Sequence, residues 1–308
     1  MFLDANINFP KDLYNPYEQI NSIHIPKIIR MVASVETGKI FGGLKSNKRP
    51  KIQARPIAII KTPAAPINSH RFTPIPINSI CKFSLKKSHY QNFLLKKIFD
   101  NNIIKSVNYD GVSINTRTIK KDNLFFAIEG KNTDGHKFAK EAVEKGAIKS
   151  VVSKKIKKLS KNKIIKVKNT FSSLKNLAKV TRDNSSAQII GITGSVGKTT
   201  VKNLISFALK NYGKVYYSPH SYNNRFGVPL SLSNLKSNID YGIFEIGMDK
   251  KGEIENLSKM VKPEVAVITN IAGVHFKNFN TLKDIAKAKA EIIDNILDGG
   301  NIILNKDD

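Results

Sequence analysis

A glycine-rich loop between an apolar run and a helix-forming stretch is the clearest chemical signal in the sequence, which reads GITGSVGKTTVKNL over residues 191–204. Glycines let successive backbone amides face one anion, and the positive end of the following helix strengthens the attraction. Lys198 would reach the β- and γ-phosphates of a nucleotide, and the Thr199 hydroxyl would bind Mg²⁺. We predict a nucleotide-binding loop made of Thr193, Gly194, Ser195, Val196, Gly197, Lys198, Thr199 and Thr200.

The loop departs from the general phosphate-binding pattern at one position. The pattern G-x-x-x-x-G-K-[ST] requires glycine where this chain has Ile192, so the match is to the shorter form T-G-x-x-G-K-T over residues 193–199. The alternative is an ordinary glycine turn that caps a helix. The flanks favour phosphate binding, because a buried strand leads into the loop and a helix leads out of it.

Lys289 is the second candidate, because its place on a predicted helix over residues 282–297 is unusual for a charged side chain. At about 100° per residue, it falls in the middle of an apolar stripe. The stripe consists of Leu282, Ile285, Ile292, Ile293 and Ile296, and the opposite side carries Lys283, Lys287, Glu291 and Asp294. Burial there would lower the pKa of Lys289 and expose a neutral amine. The alternative is a lysine that extends its ammonium to the edge of the apolar face.

Two series of strands and helices must position these residues. The first has predicted strands at 112–116, 124–128, 150–153 and 164–167, with helices at 134–145, where Asp134 is the cap, and at 172–182. The second has strands starting at 187 and at 241–246, 265–269 and 301–304, with a helix over 201–212. Such alternation predicts an α/β fold: a small α/β domain over residues 91–185, then a parallel-sheet, phosphate-loop mononucleotide-binding domain over 186–308.

Residues 1–90 differ from the rest of the chain. Nine of the 12 prolines lie at or before Pro76. Proline removes an amide donor and biases the preceding residue to extended geometry, so segments such as 49–68 are expected to form neither helices nor central strands. No apolar periodicity persists there. We predict a disordered leader, with a wrong start site as a further hypothesis.

Composition narrows the function classes. The 308 residues are 41% hydrophobic, and no apolar run is long enough to span a bilayer. The N-terminus lacks a secretory signal, and the single Cys81 excludes an intramolecular disulfide and a cysteine-based zinc site. These features predict a cytoplasmic protein. The formal net charge of +27 is a reason to consider nucleic acid as a partner. The lysines are spread along the chain rather than gathered on one face, which argues against a nucleic-acid-binding surface.

Several segments together resemble the Mur ligase family. They are the loop TGSVGKT, then YNNRFGVP at 222–229, EIGMDKKGEI at 245–254, and TNIAGVH at 269–275, followed by the lysine-bearing helix. Residues 112–147 are similar to the uridine-nucleotide-binding domain of the same enzymes. The residues of these motifs are most similar to those of the branch of UDP-N-acetylmuramoyl-tripeptide–D-alanyl-D-alanine ligases. The resemblance covers roughly residues 95–308.

The resemblance implies an ATP-dependent peptide ligase of peptidoglycan precursor synthesis. ATP phosphorylates a peptide carboxylate, and the amine of the incoming dipeptide attacks the acyl phosphate. Its implied substrates are UDP-N-acetylmuramoyl tripeptide and D-Ala-D-Ala, with ATP and Mg²⁺ as cofactors and with neither nucleic acid nor membrane insertion. A monomer is expected.

The resemblance also implies a metal centre. Thr199 and Glu245 would contact one magnesium, and His275 would contact a second. In several Mur ligases the lysine equivalent to Lys289 is carbamylated and helps to hold that second ion, although an unmodified lysine is the alternative. Without metal, Glu245 would be a paired carboxylate near the end of a buried strand, and His275 a surface histidine.

Further residues are implied at the two substrates. Lys198 and Asn224 would lie near the γ-phosphate and the acyl phosphate. Asn115, Thr116 and Arg117 would line the UDP-sugar site, although Arg117 could simply be a solvated residue at a strand end.

Three alternatives stay open at this stage. The first is that the chain is another Mur-type ligase, similar to the MurE, MurC or folylpolyglutamate synthase branches. The residues that select the amine substrate in these branches belong to a third domain, which Mur ligases carry after the ATP-binding domain. We expect the chain to stop before that domain, and therefore to bind its substrates weakly and to show little turnover. A catalytically incomplete nucleotide-binding fragment is the second alternative. A basic phosphate-loop protein that binds nucleic acid is the third.

Overall fold

The computed structural model describes residues 107–130, 132–273 and 278–305, together with the backbone of residues 57–61. Two sheets organise these residues. A six-stranded sheet has the order β1-β10-β9-β6-β8-β7, and a four-stranded sheet has the order β2-β3-β4-β5. The strands are β1 Ile57–Lys61, β2 Gly111–Ser113, β3 Asn123–Phe126, β4 Lys149–Val152, β5 Ile164–Lys166, β6 Gln188–Thr193, β7 Val215–Tyr217, β8 Tyr241–Glu245, β9 Val265–Ile268 and β10 Asn301–Asn305.

Six α-helices lie between these strands in the described part of the chain. They are α1 Ala139–Glu144, α2 Thr170–Asp183, α3 Lys198–Leu209, α4 Gly227–Ser233, α5 Glu253–Val261 and α6 Leu282–Ala290. Short 3-10 turns cover Gly135–Phe138, Lys161–Lys163 and Ile293–Asn295. The Asp134 side chain accepts a hydrogen bond from the His136 amide and so caps the first of these turns, which confirms the predicted start.

The small sheet is parallel throughout and has a core on each face. Alternate residues of β3 divide between the two cores, as the pleat of a strand requires. Leu124 and Phe126 pack with α2, whereas Phe125 packs with the buried alanines of α1. The predicted small α/β unit is therefore present, with helices on both faces.

The large sheet is parallel except at β1, which pairs antiparallel with β10. Ile190 and Ile192 of β6 pack against α3, whereas Ile189 lies in the core shared by α2, α4, α5 and α6. A parallel sheet with helices on both faces confirms the predicted fold class. None of the helices in the described ranges is long and apolar enough to cross a membrane.

Three element predictions need correction. The strand expected over 112–116 ends at Ser113, because the Ser113 hydroxyl bonds the backbone of Asn115 and turns the chain. The helix expected over 282–297 ends at Ala290 and is followed by a 3-10 turn. At the other end of the helix, Leu282 is exposed rather than part of the buried stripe. The third correction concerns the leader, where residues 57–61 form β1. An edge strand tolerates the flanking prolines because one side needs no amide donors. The rest of the predicted leader lies outside the described residues.

Helix α4 connects the two sheets. The Asn234 side chain, just past its end, accepts a hydrogen bond from the Val112 amide at 2.8 Å and donates to the Val112 carbonyl at 3.0 Å. Leu230 of α4 joins the core of the small sheet, and α2 packs along α4. The edge of β2 is therefore paired with the side-chain amide of Asn234, which follows a helix that packs on the large sheet.

Candidate active site

The carboxyl ends of β6, β8 and β9 define the candidate site. β6 is central, with β8 on one side and β9 on the other, so the chain reverses its direction of strand addition at this point. Ligands of open α/β sheets bind outside the carboxyl ends of strands at such a switch point. The predicted nucleotide loop follows β6, and Glu245 is the last residue of β8.

The loop after β6 has the backbone geometry that anion binding requires. Gly194 has φ 146° and Gly197 has φ 80°, values that side-chain-bearing residues rarely adopt. A Cβ on Gly194 would lie 1.9 Å from the Thr269 Oγ1 atom, so glycine is required there on steric grounds as well. Helix α3 starts at Lys198, and the amides of its first turn have no intrahelical acceptor, which leaves them for an anion.

The segment after β9 holds this loop in place. Asn270 accepts hydrogen bonds from the Ser195 amide through its carbonyl and from the Val196 amide through Oδ1, at 2.9 and 3.0 Å. Thr269 donates its hydroxyl to the Val196 carbonyl at 2.5 Å. The Ser195 hydroxyl and the backbone of Ala272 exchange two further bonds. The loop shape is therefore set by contacts across more than 70 residues of sequence.

Lys198 is folded back on its own loop. Its ammonium donates to the Gly194 carbonyl at 2.8 Å. Burial lowers the pKa of Lys198, and the nearby Glu245 carboxylate acts in the opposite direction. A phosphate would offer this ammonium a charged acceptor in place of a carbonyl.

Glu245 is fully buried at the end of β8 and is the main acidic feature of the site. Its Oε1 atom lies 2.8 Å from the ammonium of Lys202, which forms an ion pair although its angles do not make a directed hydrogen bond. The Oε2 atom has no hydrogen-bond partner. A buried carboxylate oxygen without a partner is costly unless a cation occupies its free side.

Two residues predicted near the phosphates have different surroundings. The Thr199 hydroxyl lies 3.3 Å from the hydroxyl of Ser221, which belongs to the segment between β7 and α4. Asn224 is exposed, and its Oδ1 atom accepts hydrogen bonds from the amides of Phe226 and Gly227 at the start of α4. The side-chain oxygen of Asn224 is therefore occupied by two backbone amides, and its amide nitrogen is the group that could face a phosphate.

Lys289 is buried, as its position on the helix predicts, with 2% of its surface exposed. Burial lowers its pKa to about 8, and the positive charge of Lys198 contributes in the same direction. The alternative of a lysine that reaches the edge of the apolar face is therefore wrong. Lys289 is therefore close enough to Lys198, at the end of the phosphate loop, for the two charges to repel each other. His275 lies outside the described residues.

The loop after β2 carries the three residues predicted for the UDP-sugar site. Asn115 and Arg117 are exposed, and the Asn115 Oδ1 atom accepts the Arg117 amide at 3.0 Å. The pKa of Glu141 on α1 is lowered by a hydrogen bond from Lys145 and, next in size, by one from Thr116. This loop follows β2 of the small sheet, whereas the phosphate loop follows β6 of the large sheet, so the predicted site residues are divided between the two sheets.

Comparisons with known protein families divide the chain at the same place. The Mur ligase family catalytic domain model matches residues 108–185, and the Mur ligase middle domain model matches residues 192–308. The chain belongs to the Mur ligase family. Among its relatives, the UDP-N-acetylmuramoyl-tripeptide–D-alanyl-D-alanine ligase of Rickettsia prowazekii is 40% identical over 203 residues, which are 66% of this chain and 45% of that protein.

Two solved structures share this Mur ligase architecture. Crystal structure I of MurF from Acinetobacter baumannii is 28% identical, with a TM-score of 0.59, and the match covers 68% of this chain and 47% of that one. The MurF ligase from Thermotoga maritima in complex with ADP is 31% identical, with a TM-score of 0.54, over 63% of this chain and 45% of that one. The chain spans about half the length of the relatives it matches.

Two features of this Mur ligase site did not follow from the sequence. The sequence shows Thr269 and Asn270 only as part of a motif, since their hydrogen bonds to the loop depend on strand order. The burial of Lys202 is the second feature. One turn of helix separates it from Lys198, and this spacing is the signal that could have found it.

Proposed function

We propose that this Mur ligase chain supplies the UDP-substrate-binding and ATP-binding parts of a ligase that joins D-Ala-D-Ala to UDP-N-acetylmuramoyl tripeptide. The observation that carries the proposal is the convergence of Lys198, Lys289 and the buried Glu245 carboxylate at one strand switch point. The ligases that are related to this chain and the ADP-bound MurF structure support the same reaction class. Residues 91–185 would form the first domain and residues 186–308 the ATP-binding domain.

The phosphate loop would bind the nucleotide. Residues 193–200 would surround the phosphates, with the first-turn amides of α3 and the Lys198 ammonium as donors. Transfer of the γ-phosphoryl group to the peptide carboxylate would then give an acyl phosphate and ADP. Positive groups fixed beside the phosphates stabilise the charge that develops during such a transfer.

The residues at the end of β8 suit a magnesium ion. The partnerless Oε2 atom of Glu245 and the Thr199 hydroxyl are oxygen donors of the kind that Mg²⁺ prefers, and Mg²⁺ commonly takes only one or two protein ligands beside phosphate and water. Among the described residues no three acidic, histidine or cysteine side chains cluster, so an all-protein cage is not formed there. When bound, the ion would neutralise and orient the phosphates.

Lys289 and Asn224 would act on the acyl phosphate. Because its pKa is near 8, the amine of Lys289 is neutral in a substantial fraction of molecules at physiological pH and could react with carbon dioxide to form a carbamate. Such a carbamate, with His275, would hold a second magnesium. The Asn224 amide nitrogen would donate to the γ-phosphate, while its oxygen stays bound to the start of α4.

The UDP-linked substrate would bind at the loop of Asn115, Thr116 and Arg117. The guanidinium of Arg117 is exposed and suits a diphosphate, to which arginine donates in a bidentate manner. The monomeric state and cytoplasmic location expected from the sequence belong to the same proposal.

Binding measurements on the 308-residue chain test the proposal. Titration calorimetry should detect Mg-ATP and UDP-N-acetylmuramoyl tripeptide as two ligands that bind together. Lys198→Ala should weaken ATP binding by at least about tenfold and leave the UDP ligand unaffected, because a charge-assisted hydrogen bond contributes about 1.5–3 kcal/mol. Lys210→Ala, at an exposed lysine just after α3, is the matched control. A chain that binds neither ligand would refute the proposal.

A further inference from the structure

Lys202 is one of the most deeply buried charged residues of the chain, with 1% of its surface exposed. Its position in α3 lies one helical turn after Lys198, so both ammonium groups are directed to the same end of the sheet. A lysine is rarely buried to this extent without partners. The structure supplies three.

Two of the partners are backbone carbonyls of the segment after β7. The Lys202 ammonium donates to the Ser218 carbonyl at 2.8 Å and to the His220 carbonyl at 2.5 Å. His220 has φ 48°, in the left-handed region. These bonds fix the ammonium, because a group held by two carbonyls cannot move without losing both.

The third partner is Glu245. The ammonium lies 2.8 Å from Oε1, and both side chains are almost fully buried. The Ser218 hydroxyl accepts a bond from the Glu245 amide at 3.3 Å, so the same segment holds the lysine and the backbone of the glutamate. Oε1 faces a fixed cation, and Oε2 is left without a hydrogen-bond partner.

We propose that Lys202 is a positioning residue for the metal site, which it serves by holding the Glu245 carboxylate so that Oε2 faces the ion. The inference rests on the proposed function, since it assumes that Glu245 binds the magnesium of Mg-ATP. Lys202 holds the carboxylate in place before nucleotide arrives. Lys198, in contrast, contacts the phosphates directly.

The test compares nucleotide binding with and without metal. ATP affinity is measured by calorimetry in excess Mg²⁺ and in excess EDTA, and the ratio of the two constants is the magnesium enhancement. Lys202→Met should lower this enhancement at least about tenfold, while EDTA-state binding through Lys198 and the loop amides changes less than about threefold. Lys210→Met, an exposed lysine just after α3, makes the same chemical change and should alter neither value.

The double variant Lys202→Met/Glu245→Gln keeps the test valid if the single Lys202 variant does not fold. It removes both buried charges, so its thermal unfolding should be closer to that of the wild type than the unfolding of either single variant is. Its magnesium enhancement should match that of Glu245→Gln within about twofold, because Lys202 has no glutamate left to position.

Each outcome is decisive. An unchanged enhancement in a folded Lys202→Met chain, or an equal loss of binding with and without metal, overturns the inference. A further loss when Lys202→Met is added to Glu245→Gln also overturns it. A wild-type chain without measurable Mg-ATP binding would instead contradict the proposed function itself.

Discussion

Replacement of Lys289 by methionine should stabilise the ligand-free chain at neutral pH. The pKa of Lys289 falls from 10.5 to about 8 in the fold, because burial and Lys198 disfavour the charged form. This depression corresponds to at most about 3 kcal/mol of unfolding free energy. Methionine has a similar length and no charge, so Lys289→Met removes the penalty while the apolar surface stays covered.

The pH dependence gives this prediction its sign. Well below pH 8 the lysine is protonated in both the folded and the unfolded chain, so the full penalty applies. Between pH 8 and pH 10.5 the unfolded chain binds more protons than the folded chain, and wild-type stability rises with pH through this residue. The stability difference between Lys289→Met and wild type should therefore be largest near pH 7 and should shrink as the pH approaches 10.

Urea unfolding at a series of pH values, followed by circular dichroism, measures the difference. Lys287→Met is the matched control, since Lys287 is exposed on the same helix and should show no stabilisation at any pH. Equal unfolding free energies for Lys289→Met and wild type at pH 7 would refute the reasoning. A difference that does not depend on pH would show that packing, not charge, determines the effect.

Three further substitutions probe the loop, its brace and the link between the sheets. Gly194→Ala should weaken ATP binding by at least about tenfold, because the new Cβ would collide with Thr269 and φ is 146°; calorimetry that finds unchanged affinity would contradict the steric argument. Asn270→Ala should weaken ATP binding about fivefold without unfolding the chain, since it removes a hydrogen bond of about 1 kcal/mol to the loop. Equal ATP affinities of the variant and the wild type would show that this hydrogen bond is dispensable. Asn234→Ala should lower the unfolding free energy by about 1–3 kcal/mol, because it leaves both backbone groups of Val112 without their partner; urea unfolding that coincides with wild type would count against the link.

The parts of the fold that follow local rules could be predicted from the sequence. The loop before α3 was predicted from glycine spacing, and the burial of Lys289 from helical periodicity, because both depend on residues within one or two turns. The end of α6 was not predicted. Its apolar pattern continues beyond Ala290, but the chain there changes to a 3-10 turn.

Contacts between distant segments could not be predicted in the same way. The Asn234 amide bonds Val112 across 122 positions, and no local pattern in either segment indicates the other. Glu291 shows a similar case: its carboxylate accepts the amides of Gly252 and Glu255 and so caps α5 from the end of α6. The roles proposed for Asn224, His275 and the loop at Asn115 stay predictions.

The brace formed by Thr269 and Asn270 also has a consequence for folding. The phosphate loop leaves the ribosome about 75 residues before the segment that fixes its shape. β9, which presents that segment, must pair with β6 before Gly194 can be held in its unfavourable conformation. Closure of so long a stretch of chain is slow compared with helix formation. Nucleotide binding should therefore be a late event in folding, and a growing chain that ends before residue 269 should display α3 without being able to hold ATP.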